Sequence, residues 1–269
     1  MRSLLVLMVL AVVLLSVARK PRPAVNQSGI SIETFFDWSV PESSLTVASY
    51  NVQTGKNLNG VRDITASAKV ISQADIAGIQ EVYAPGWLNK LGFGHSQIGL
   101  LAATGQFGQL FAATRFRWLR ENRGNLLLSK IPIDNWRVVM LPDQSGKSFR
   151  NMTVARLNWQ QQSVTIINTH LHTGVGREQQ LSVVLQEFAK HRRAILLGDF
   201  NTSRDANLLK QALADDSISD AIALAGLDLD NAQRIDWILT RGFDIESGRM
   251  QGKGVSDHPY YEVSLKLTQ

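Results

Sequence analysis

Cysteine is absent from all 269 residues, so no disulfide framework, thiolate metal site or cysteine nucleophile can operate, and any bound metal must be held by oxygen or imidazole. A large excess of either charge is lacking too. The 28 Lys and Arg stand against 23 Asp and Glu, a net +5 with a pI near 9.6, which favours anionic partners without selecting among nucleic acid, phospholipid and small phosphates. Internal repeats and low-complexity tracts are lacking. A long apolar run occurs only at residues 4–18 (LLVLMVLAVVLLSVA), shorter than the roughly 20 residues of a usual spanning helix. Behind Arg2, and with Ser16 and Ala18 spaced like a cleavage site, it reads as a signal peptide; Arg19, Lys20 and Arg22 suit an uncleaved anchor equally well. Residues 1–18 are therefore expected to engage the export machinery or a membrane, leaving the remainder secreted, periplasmic or membrane-anchored. The bland alternative is a buried core helix. Removing 1–18 takes away only Arg2, leaving 27 minus 23, or +4, so the basic character belongs to the remainder.

With 44% hydrophobic residues the chain can bury a full core. Residues 19–44 carry Pro21, Pro23 and Pro41 without periodicity and read as a linker, and one catalytic domain is expected over 45–269. Strand-length apolar runs then recur at 45–51, 75–82, 125–129, 152–159, 163–171, 194–201, 234–240 and 260–267, rich in β-branched and aromatic residues. Val61, Ile64, Ala68 and Ile71 share a helical face, as do Leu181, Val184, Leu185 and Phe188 in a segment opening at Gly176, and a third helix is expected at 205–214. Between 93 and 170 the pattern runs strand to strand, with turn residues at Arg123-Gly124 and from Pro142 to Gly146. Strands outnumber helices, so an α+β fold of two packed sheets with helices outside is expected, not a wound parallel sheet.

Several strand-like runs end in polar residues of one chemical kind: Asn51, Glu81, His170, Asp199 with Asn201, Asp236, and Asp257 with His258. Carboxylates, carboxamides and imidazoles at matching strand ends can converge on one pocket suited to a hard cation and a phosphate. Each block alone has a bland reading: a turn former at Gly198-Asp199, a solvated charge at Glu81, a structural imidazole at His170, a surface turn at Asp257-His258. Asp236 is harder to dismiss, because it lies between Ile235 and Trp237, and burying an unpartnered carboxylate costs several kcal/mol.

The ordered blocks SYNV (49–52), IQEV (79–82), RGNLLLSK (123–130), NTHL (168–171), LLGDFN (196–201), RIDWIL (234–239) and SDHPYYEVSL (256–265) resemble the endonuclease/exonuclease/phosphatase superfamily of deoxyribonuclease I-like metal-dependent phosphoesterases, over roughly residues 45–267. The resemblance implies a four-layered α/β/β/α sandwich of two mixed sheets with a divalent cation, usually Mg2+ and with Mn2+ equally suited to oxygen ligands. It also implies Glu81 as principal metal ligand with Asn51 and Asp257 nearby, Asp199 and Asn201 positioning or activating water, His170 on the phosphate oxygens, and Asp236 orienting His258. Either Asp199 or His258 can be the base, and His258 is assigned as general base or electrostatic stabiliser with Asp236 behind it. The chain departs from some members at Gln53, where an acidic residue is missing, and at His172, which follows Leu171 where many relatives have Asp.

For substrate, Arg115-Phe116-Arg117-Trp118-Leu119-Arg120 and Arg123 interleave bases and aromatics as nucleic-acid surfaces do, or form an ordinary strand with solvated bases. Arg123, Asn125 and Arg177 are the expected substrate-binding residues, with Gln180 near Arg177 at a helix start that favours anions. Residues 83–106, with Tyr83 and Trp87, are expected to form loops and short elements near the cleft. Three readings follow: a nuclease, a phosphodiesterase or phosphatase for lipid headgroups or small phosphates, and an inactive phosphate-binding module, which the retained polar set disfavours. No protein partner is expected, and the chain is expected to be a monomer.

Overall fold

The computed structural model describes residues 2–19, 22–30, 32, 43–86, 91, 97–116, 121–143 and 149–268. Arg117 to Arg120 of the basic-aromatic run, Trp87, Lys20 and the turn residues Gln144 to Gly146 lie outside them. In chain order the elements are α1 (Arg2–Arg19), β1 (Arg22–Pro23), β2 (Gln27–Ile30), β3 (Leu45–Asn51), α2 (Ile64–Ile71), β4 (Ile76–Ala84), α3 (Ile98–Gly105) and β5 (Gly108–Ala113). There follow β6 (Arg115–Phe116), β7 (Asn122–Ser129), β8 (Ile133–Met140), β9 (Asn151–Trp159), β10 (Gln162–His170), α4 (Arg177–Ala189) and β11 (Ala194–Asp199). The chain closes with α5 (Asn207–Leu213), β12 (Ser219–Asp220), α6 (Ala221–Leu224), β13 (Asp236–Arg241), β14 (Phe243–Gln251) and β15 (Tyr260–Leu267).

Two mixed sheets result, one in the order β12-β13-β11-β10-β9-β8-β2 and the other β14-β15-β3-β4-β7-β5. Parallel pairing joins β3 to β4 and β10 to β11, and the remaining neighbours in these two sheets are antiparallel. Three apolar layers separate four layers of backbone. Between the sheets lie Val47, Ile76, Leu127, Trp159, Ile166, Leu197 and Tyr261. Ala68, Ile71 and Leu101 of α2 and α3 cover the six-stranded sheet, and Leu181, Val184, Phe188 and Leu209 of α4 and α5 cover the other. The central strands are buried on both faces, which explains their near-continuous apolar runs. The expected α/β/β/α sandwich is the fold.

Four local expectations differ. The first helix begins at Ile64, not Val61, because the Asp63 carboxylate accepts from the amides of Thr65 (3.0 Å) and Ala66 (3.3 Å) and caps it; Val61 is exposed. The 93–170 region contains the helix α3, whose Gly99 and Gly105 blur its periodicity although Ile98, Leu101 and Ala102 are buried. The strands β5, β8 and β14 fall outside the expected runs, being short, charged or solvent-facing. Finally, Gln27–Ile30, within the stretch read as a linker, pairs antiparallel with β8 at the sheet edge. No helix among the described residues is long and apolar enough to cross a membrane.

Candidate active site

The parallel and antiparallel registers bring the polar strand ends to one edge of the sandwich. Asn51 closes β3 opposite Gln80 on β4. The β4–β7 ladder then shifts register between Ile79 and Val82, and Glu81 takes φ 62. A bulge of this kind re-aims the side chain, here toward Arg123 on β7, with which Glu81 forms an ion pair. His170 at the end of β10 is in register with Asp199 at the end of β11, and Asp199 with Asp236 at the start of β13. The close approach of β10 and β11 depends on Gly198, whose φ is +140 and where a Cβ would stand 1.9 Å from the Thr169 carbonyl oxygen.

Asp199 is the hub. Its Oδ2 accepts from Asn51 Nδ2 at 3.0 Å and lies 3.3 Å from His170 Nε2 and 3.8 Å from His258 Nε2, while Oδ1 accepts from the Asn201 amide at 2.9 Å. His258 Nδ1 donates to Asp236 Oδ2 at 2.8 Å, and its Nε2 is 3.5 Å from Asn51 Nδ2. Ser256 Oγ donates to the Asn51 carbonyl at 2.7 Å, tying the Asp257-His258 loop to β3. Asn201, at φ 48, donates to the Leu171 carbonyl at 2.9 Å.

Burial divides the ionisation states. Burial pushes the Asp199 carboxyl up to about 7, assisted by the negative charge of Asp236. For His258 burial acts downward, but the hydrogen bond and charge of Asp236, with Asp199 and Asp257, outweigh it and push the imidazole up to about 9. His170 goes the other way: burial, then the nearby charges of Arg150 and Arg123, hold it well below its ordinary value. At neutral pH the site thus pairs a neutral imidazole and a cationic one around one carboxyl group.

Of the expected substrate-binding residues, Arg123 is engaged with Glu81. Arg177 donates to the carbonyls of Asn201 (2.6 Å) and Thr173 (3.3 Å), bracing the Asn201 loop. Asn125 is buried and donates to Asn151 Oδ1 at 3.1 Å. Gln180 is no phosphate contact: it is buried, accepts from the His172 amide and donates to the Pro142 carbonyl. His172 is half-buried at the rim, where burial and Arg150 lower its pKa. Sequence reasoning missed Arg150. It precedes β9, whose first residues run antiparallel to the end of β10 that carries His170. Its pKa is lowered by burial and by Arg123, and Glu81 and Asp199 act on it as well. Its Nε is buried without a hydrogen-bond partner. The available signal was the arginine placed directly before a strand that neighbours His170.

The donor set fits a hard divalent cation. Asp199, Asp236 and His258 present ligand atoms within 4.8 Å of one another, whereas of the expected ligands Glu81 is paired with Arg123 and Asn51 turns its amide nitrogen to Asp199, its oxygen accepting from the Gln53 amide at 3.0 Å. Asp236 Oδ1 is buried without a partner, the condition a nearby cation relieves.

Residues 48–258 match the model of the Endonuclease/Exonuclease/phosphatase family, and the chain belongs to this family, whose members are generally hydrolases of phosphoester bonds and typically divalent-metal dependent. Among solved structures it resembles an endonuclease/exonuclease/phosphatase from Beutenbergia cavernae at 23% identity, covering 84% of this chain and 72% of that one, TM-score 0.71. It resembles another from Bacteroides vulgatus at 17% identity, covering 84% and 100%, TM-score 0.65. The human Nocturnin catalytic domain with bound sulfate is similar at 17% identity, covering 86% and 97%, TM-score 0.65. No curated relative matches the chain in sequence.

Proposed function

We propose that the chain is a divalent-metal-dependent phosphodiester hydrolase and that nucleic acid is its substrate. The observation that carries the reading is the bond of 2.8 Å between half-buried His258 and buried Asp236, with the far imidazole nitrogen facing Asp199. Glu81, with Asn51 and Asp257, would hold Mg2+ or Mn2+, which supplies neutralisation of phosphate charge and a more acidic water. A carboxyl group titrating near 7 is matched to taking a proton from the attacking water at neutral pH, so Asp199 is the base, aligned by Asn51 and Asn201. A histidine with a pKa near 9 is a cation at neutral pH and acts as donor, so His258 stabilises charge on the phosphate oxygens, with Asp236 fixing its orientation. His170, held neutral, contacts the same oxygens, and Arg123 and Arg150 supply fixed positive charge along the wall. The net positive balance after residue 18 supports a polyanionic substrate.

Nicking of plasmid DNA by the full chain, with magnesium, with chelator and with His258→Ala, tests this. Magnesium-dependent nicking that disappears in the variant is expected. Absence of nicking by folded protein refutes the nuclease reading and favours phosphodiesters of lipid headgroups, a second reading that the exposed apolar residues Val6 to Leu15 support. The same segment supports export of the chain, to a secreted, periplasmic or membrane-anchored location.

A further inference from the structure

We infer that the N-terminal helix holds the mouth of the catalytic cleft against a lipid bilayer. The inference rests on the second reading above, a cleft for phosphodiesters of lipid headgroups, since a bilayer at the mouth leaves no room for duplex nucleic acid. Every residue of α1 from Val6 to Leu15 is exposed, and nine large apolar side chains there are 46–63% exposed. An apolar surface this continuous, on a helix hydrophobic all round, calls for lipid or for another protein surface. Lipid is favoured by the sequence at its ends: Arg2 lies before the run, and Arg19, Lys20 and Arg22 directly after it, as suits anionic headgroups at an interface. At ~1.5 Å per residue the 18-residue helix is about 27 Å long, enough to enter a hydrocarbon layer ~30 Å thick without needing to cross it.

The place where this helix joins the fold sets the orientation. Only residues 20 and 21 separate α1 from β1, so the end of the helix stays within about 11 Å of Arg22. β1 pairs with β6, Arg22 opposite Phe116 and Pro23 opposite Arg115. The next residue, Ala24, donates to the Thr114 carbonyl at 3.4 Å. Thr114 donates to the Arg123 carbonyl from both its amide (3.1 Å) and its hydroxyl (3.0 Å), and Arg123 pairs with Glu81. A continuous bonded path of four residues therefore runs from the base of the apolar helix to the expected metal ligand. Phe116, beside it, is 49% exposed. Had the helix joined at the other end of the sandwich, where β11 begins at Ala194, a bilayer holding it would lie behind the cleft. Joined here, the bilayer lies in front of it, and phosphoesters displayed on its surface come within reach.

The absence of cysteine makes the orientation directly measurable. In the full chain, Phe116→Cys places one thiol at the rim. Asp216→Cys places one at the opposite end, next to Ser217, which accepts a hydrogen bond from Arg241, the strand partner of Ala194. Each is labelled with a fluorophore and mixed with vesicles of phosphatidylcholine and phosphatidylglycerol. The full chain is expected to float with the vesicles and a chain lacking residues 2–19 to remain behind. Iodide quenching of the rim label should fall severalfold on vesicle binding, while quenching of the Asp216→Cys label stays unchanged. Failure to float, flotation that survives removal of the helix, or equal quenching at the two positions overturns the inference. Hydrolysis of a soluble diester, bis(p-nitrophenyl) phosphate, by the same preparations reports on the cleft alone, so a wrong orientation is distinguished from a wrong activity.

Discussion

Replacing Asp236 with Asn changes one buried charge and almost no volume. Asp236 is 2% exposed and its Oδ2 accepts from His258 Nδ1 at 2.8 Å. The raised pKa of His258, about 9 against an ordinary 6.5, corresponds to about 3 kcal/mol of preference for the cation, and Asp236 is its main upward cause. In Asp236→Asn only Asp199 and Asp257 remain to oppose the downward effect of burial, so His258 is expected to titrate well below 9, toward its ordinary value. At pH 7.5 the wild-type imidazole is then a cation and the variant's is neutral. Carbon-edited NMR of the imidazole Cε1–H signals, in chelator and with His258→Gln to assign the peak among five histidines, measures both titrations. Loss of a positioned donor of this kind lowers turnover on the order of 10²–10³-fold. A wild-type His258 titrating near 6.5, or an Asp236→Asn enzyme with undiminished turnover, refutes the assignment of His258 as a standing cation held by Asp236.

Glu187 is buried; burial acts to raise its carboxyl pKa, but Lys190, His191 and Arg137 outweigh this and hold it at about 2 against an ordinary 4.5. The stabilisation is full above pH 4.5 and is lost as pH falls through about 2. With Lys190 and Arg137 largely solvated, Glu187→Gln should cost about 1–2 kcal/mol in urea unfolding at pH 7 and almost nothing at pH 2. Gly198→Ala drives a Cβ into the Thr169 carbonyl at a backbone angle that L side chains rarely adopt. A loss of about 3 kcal/mol or more is expected in thermal or urea melts, with activity reduced in the folded fraction. Arg150→Gln removes a half-buried cation with an unpartnered Nε while leaving the metal donors intact. It should raise KM for a phosphodiester roughly tenfold or more and weaken inhibition by inorganic phosphate, with the melting temperature little changed. An unaltered KM would remove Arg150 from the substrate wall.

The family and the two-sheet architecture are legible in the sequence because they follow from local chemistry. Strands buried on both faces must be apolar, so Asn51, His170, Asp199 and Asp236 stand out at their ends, and their order along the chain carries the family's pattern. Relations between residues far apart in the chain arise only on folding. Asp199 meets Asn51 across 148 positions, and no periodicity encodes that distance. The opposite ionisation of His170 and His258 comes from which charges face each ring, Arg150 and Arg123 for one and Asp236 for the other. Glu81 is aimed by a bulge that its own IQEV block does not announce. Gln180 and Asn125 look as available in sequence as Arg123 does, yet packing commits both to internal hydrogen bonds. Arg150, lacking a motif, acquires its place only because β9 runs antiparallel to β10. Pairing, burial and electrostatic neighbourhood are set by the whole fold, and the chemistry of the site is read from them.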